Sequence, residues 1–118
     1  MIPSVEELRQ DTKATYDKLL SEIVNSLCSS WVITMNTAGK VKGQSSITFE
    51  PAKDDNTYNV SWSIACNAVY LAALEFVKAG YKVELRYYNK ANKMVDKITI
   101  SWGEDIPVDN LIIHYGLG

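Results

Sequence analysis

The stretch that most constrains the fold is ACNAVYLAALEFVKAG, residues 65–80, in which only Glu75 and Lys78 are charged. Its alanines and leucines favour a helix from about Ala65 to Ala79, with Gly80 placed to take the left-handed backbone just past the end. A helix that is apolar almost all round is buried on more than one side. The rest of the chain must therefore cover it. The cover is either a sheet and another helix, or a sheet and another subunit. Ala65, Ala68, Ala72 and Ala73 would let such a neighbour approach closely.

A second helix is predicted over Val5 to Leu27. Ser4 and Glu7 form a capping box, in which each side chain satisfies an orphan backbone amide. Val5, Leu8, Tyr16, Leu19, Leu20, Ile23, Val24 and Leu27 recur at three- and four-residue steps and read as a core-facing stripe. Strands are predicted where alternation takes over. WVITMN sets Trp31, Ile33 and Met35 on one face, and a turn follows at Thr37–Lys40. GQSSITFE sets Ile47 and Phe49 on one face. TYNVSWSI sets Tyr58, Val60, Trp62 and Ile64 against Asn59, Ser61 and Ser63. Period two with one polar face marks a half-buried antiparallel sheet. After the apolar helix, Val83, Leu85 and Tyr87 point inward and Lys82, Glu84, Arg86 and Tyr88 outward. Asn89–Asn92 make a turn, and the return strand turns Ile98, Ile100 and Trp102 inward. The tail LIIHYG adds a last short strand. The expected fold is α+β: two helices on an antiparallel sheet of five to six strands, in the order α-β-β-β-α-β-β-(β).

At 118 residues the chain is expected to be a single domain, 1–118. Such a chain buries roughly two thirds of its unfolded surface without needing disulfides or metal. Cys28 and Cys66, the only cysteines, fall among apolar residues and read as small buried hydrophobes. The start MIPSVEE does not have the pattern of a secretory signal, and no apolar run reaches the length of a membrane span. The expected location is the reducing cytoplasm, with no membrane contact. In that setting the Asn59-Val60-Ser61 sequon has no consequence.

Catalytic and metal motifs are missing. GKVKGQSS places its lysines before the second glycine, so it is not a phosphate loop. His114 is the sole histidine, and no serine sits in a nucleophile-elbow pattern. Asp54-Asp55 and Glu104-Asp105 read as solvated turn acids. One histidine and two distant cysteines do not make a zinc site, and DDNTYN lacks the glycine and later glutamate of a calcium loop. No cofactor is expected.

Charge is distributed unevenly. The net charge is −2, yet residues 78–97 carry +4 and the remainder −6. The candidate ligand-binding residues on this hairpin are Lys82, Arg86, Tyr88, Lys90, Lys93 and Lys97. They can hold an anion. Only Tyr88 offers a stacking platform for a base, so a phosphate-bearing small ligand or an acidic protein surface suits the ribbon better than a nucleic acid. The plainer reading is that lysines keep a hairpin face and edge soluble. The leading expectation is a non-enzymatic protein that binds another protein, of the inhibitor, immunity or adaptor type. A nucleotide or nucleic-acid binder using the 82–97 hairpin is the alternative, and an enzyme with its site at a subunit interface is a third. The apolar helix and tail also predict a homodimer.

Overall fold

The computed structural model describes residues 2–50, 62–91, 95–103 and 110–116. Helix α1 runs from Val5 to Asn36, 32 residues. The serine half of the predicted capping box is in place: the Glu7 amide donates to Ser4 Oγ at 3.1 Å, and Glu6 and Glu7 sit where the helix dipole favours acid. The buried residues of α1 are Ile23, Leu27, Trp31 and Met35, one every fourth position.

That spacing corrects the first predicted strand. WVITMN is helical, because Trp31 and Met35 continue the stripe begun by Ile23 and Leu27. Both periods contain Trp31 and Met35; Ile33 separates them, and it is 68% exposed. The β-branched residues of the segment favour a strand only weakly, and packing of a helical face overrides that preference. A five-residue π-helical turn, Thr37–Val41, follows in place of the predicted Thr37–Lys40 turn. The chain then leaves through Gly43 at φ +66°.

Strand β1 covers Ser46–Phe49. Helix α2 covers Trp62–Lys78, so Trp62–Ile64, predicted as the end of a strand, open the helix instead. Residues 57–61 of that predicted strand lie outside the described residues. Helix α2 closes as its sequence predicts. Gly80 takes φ +98°, its amide donates to the Val77 carbonyl at 3.0 Å, and the Tyr81 amide reaches back to the Phe76 carbonyl at 3.0 Å. This pair of reverse bonds satisfies carbonyls that the helix end leaves open.

Strands β2 (Lys82–Tyr87), β3 (Val95–Ser101) and β4 (Leu111–Tyr115) complete the sheet. Its order is β1-β3-β2-β4. β3 pairs antiparallel with β1 and β2, whereas β4 lies parallel to β2. Among the described residues the sheet is thus four-stranded and mixed, not antiparallel with five to six strands. One predicted strand is part of α1. The direction of β4 follows from its position: β3 ends beside the start of β2, and β4 begins there too, on the other side of β2. The Val83 amide donates to the Asn110 carbonyl at that end. Alternation along a strand carries no information about its direction.

The inner face of the sheet presents Val83, Leu85, Ile98 and Ile100, all fully buried, to α2. Ala68, Ala72 and Ala73 of α2 are fully buried as well. Helix α1 packs along α2 and reaches β1 through Trp31, whose ring stacks on Phe49 with centroids 5.5 Å apart. Of the two covers the sequence allows for α2, the chain supplies the first: its own sheet and its own long helix. No helix of the described residues is long and apolar enough to cross a membrane.

Candidate functional site

The alternation of β2 and β3 places Lys82, Arg86 and Lys97 on the outer face of the sheet, away from the helices. Arg86 and Lys97 are cross-strand neighbours. The register slips by one residue next to Arg86, and Asp96 is the extra residue. A bulge of this kind re-aims a side chain, and here the Arg86 Nε donates to Asp96 Oδ2 at 2.9 Å. Lys82 Nζ lies 3.6 Å from Glu84 Oε1, and His114 Nε2 lies 3.9 Å from the same oxygen. Two of the predicted cations therefore face carboxylates of their own sheet. Lys97 has no ion pair among the described residues. Tyr88 and Lys90 are exposed just past the end of β2, where the Ala91 amide donates to Asn89 Oδ1 at 2.9 Å and tightens the predicted turn. Lys93 lies outside the described residues.

Glu84 and Asp96 are the two acids already subtracted in the +4 of residues 78–97, so these pairings leave the net charge as counted and occupy two of the candidate cations. Tyr87, which the alternation turns inward, is buried and stacks on Tyr115 with centroids 5.7 Å apart. Tyr88 is the aromatic ring left at the surface of this hairpin, 41% exposed. A stacking surface for successive bases needs more than that. Removing the acid from the Arg86 pair should unmask its charge. Asp96→Asn is expected to raise the salt concentration that elutes the protein from a heparin column. The exposed pair contributes under about 1 kcal/mol to stability, so the urea midpoint should hardly move. Unchanged elution would mean that Arg86 does not present its charge to solvent.

Nucleophilic chemistry has little support in the thiols. Cys28 sits inside α1, eight residues before its end, and its Sγ lies 4.0 Å from the Ala72 carbonyl. Burial, and then the Glu75 carboxylate, push the Cys28 thiol above its usual range; burial does the same for Cys66. Both changes disfavour the thiolate, which is the reactive form. No cluster of three metal-ligating side chains occurs among the described residues.

A different surface stands out, one that the sequence pattern assigned to the core. Residues 2–15 are all exposed. Val5 is 65% and Leu8 56% exposed, although both lie on the apolar stripe of α1. At 1.5 Å per residue the helix is about 48 Å long, and the molecule extends 60 Å along its longest axis against 32 and 28 Å across. The first turns of α1 thus project past the sheet and α2 as an arm. Its root is marked by Tyr16, whose hydroxyl accepts a hydrogen bond from Asn67 Nδ2 of α2. Val5, Leu8, Thr12 and Tyr16 line a shallow groove along the arm, edged by Arg9 and Lys13. The signal was present in the stripe itself, which extends further than a sheet and a 17-residue helix can cover.

Comparison with family models, with curated proteins and with solved structures finds no match to this chain.

Proposed function

We propose that this chain is a non-enzymatic protein-binding module of the inhibitor, immunity or adaptor type, and that its projecting α1 arm packs against an amphipathic helix of a partner protein. The observation that carries this reading is the exposed stripe of Val5 and Leu8 on a helix that is capped and anchored but uncovered on its apolar side. Recognition between helices uses anchors at i, i+3 and i+7, and Val5, Leu8 and Thr12 have that spacing. The flanks carry both signs of charge, in Glu6, Glu7, Arg9, Asp11 and Lys13. They suit a helix with mixed-charge flanks better than an acidic or basic polymer. The nucleotide or nucleic-acid reading has weaker support, because Lys82 and Arg86 already face Glu84 and Asp96.

The test is a capture experiment with paired variants. Leu8→Asp is expected to weaken partner binding about 30-fold or more, as loss of a central apolar anchor does. Its effect on the urea midpoint should be small, because Leu8 is already exposed. A stoichiometric protein retained by the wild type and lost with Leu8→Asp supports the reading. An identical set of proteins on both contradicts it. Light scattering addresses the homodimer: a doubled mass at tens of micromolar that Leu8→Asp abolishes would make a second copy of this chain the occupant of the arm.

A further inference from the structure

At the far end of α1 from the arm, the end of the sheet beside Tyr81 and Trp102 and the C-terminal ends of the two helices line an open cavity of about 500 Å³. Concave sites of about 300–1,000 Å³, mostly apolar with a few placed polar groups, are typical of small-molecule binding. The wall here is built from Val32 and Met35 of α1, Phe76 near the end of α2, and the rings of Tyr81 and Trp102. These rings support one another: Phe76 meets Tyr81 edge-on at 6.0 Å, and Tyr81 meets Trp102 edge-on at 6.3 Å. The π-helical turn supplies Lys40 to the lining. Such turns occur often at functional sites.

The charges of the lining set the class of ligand. Glu75 is met by Lys78, one helical turn on, at 3.4 Å. Lys40 has no acidic partner among the described residues. The lining thus carries one anion, Glu75, which meets Lys78 outside the cavity, and one cation, Lys40, unpaired among the described residues and set beside an apolar, aromatic wall. We propose that the cavity binds an amphipathic monocarboxylate, with its apolar body along Val32, Met35, Phe76 and Trp102 and its carboxylate at Lys40. The site is separate from the arm, so this inference and the protein-binding reading stand or fall independently.

A head-group series tests it. Dodecanoate, dodecanol and dodecyltrimethylammonium share one tail and differ in charge. Each is titrated into the full chain below its micelle-forming concentration, by calorimetry and by tryptophan fluorescence. Dodecanoate is expected to saturate at one per chain and to bind about 10-fold tighter than the ammonium compound. Lys40→Glu should reverse that order. Lys40 is exposed, and an unchanged circular dichroism spectrum verifies the fold of the variant. Val32→Trp, which fills the cavity from its exposed side, should abolish binding of both. Absence of saturable binding, a wild-type preference for the ammonium head, or an order that Lys40→Glu leaves unchanged would each overturn the proposal.

Discussion

Replacing Trp31 by alanine is expected to lower the unfolding free energy by about 3–5 kcal/mol, whereas Ile33→Ala, two residues on, should cost under about 0.5 kcal/mol. Trp31 is 4% exposed and joins three elements. Its ring lies 5.5 Å from Phe49 of β1 and 5.7 Å from Phe76 of α2. Truncation removes a large apolar side chain, and a centre built from rings on three elements cannot easily collapse into the space. Ile33 is on the opposite side of α1 and already wet. Urea denaturation of the two variants measures the difference directly. On a strand, positions 31 and 33 would share a face and their costs would be similar. Comparable losses would therefore contradict the helical assignment of residues 31–36.

Ala72→Asp is expected to cost about 4 kcal/mol or more, enough to unfold a protein of ordinary stability at moderate temperature. Ala72 is fully buried. No buried polar or charged side chain is found among the described residues, so nothing waits there to pair with a carboxylate. An unpaired charge in such a place keeps its full desolvation cost or must take up a proton. Leu71→Asp provides the contrast. Leu71 is 37% exposed on the same helix, and a carboxylate there can turn to water, with a loss of about 1 kcal/mol. Because α1 and the sheet of the same chain cover Ala72, the wild-type urea midpoint should not depend on protein concentration. A midpoint that rises with concentration would indicate that another subunit completes the cover of α2.

The parts of the fold that one local rule decides were legible in the sequence. The serine cap at Ser4, the end of α2 at Gly80, and the inward set Val83, Leu85, Ile98 and Ile100 all depend on neighbours in the chain or on a strict period of two. The segment 31–36 was not legible by itself, because six residues containing Trp31 and Met35 satisfy both periods. What resolves it is distant: Phe49 and Phe76 receive Trp31. The parallel pairing of β4 with β2 is likewise a property of how strands are placed, which alternation does not encode. For the candidate sites, the sequence showed which residues carry charge but not which of them meet. The pairing of Arg86 with Asp96 depends on a bulge. The exposure of Val5 and Leu8 depends on where the sheet and α2 end, so an apolar stripe that reads as core along its whole length is core only from Tyr16 onward.

The protein-binding role of the arm is tested most directly by photocrosslinking in the host cell, with a benzophenone amino acid at position 8 and, as control, at position 33. Both positions are exposed on α1, at 56% and 68%, but only position 8 lies on the apolar stripe of the arm. A discrete crosslinked species of fixed mass from position 8, missing from position 33, is the expected result. No adduct at position 8, or the same adducts from both positions, would contradict a binding role for the arm.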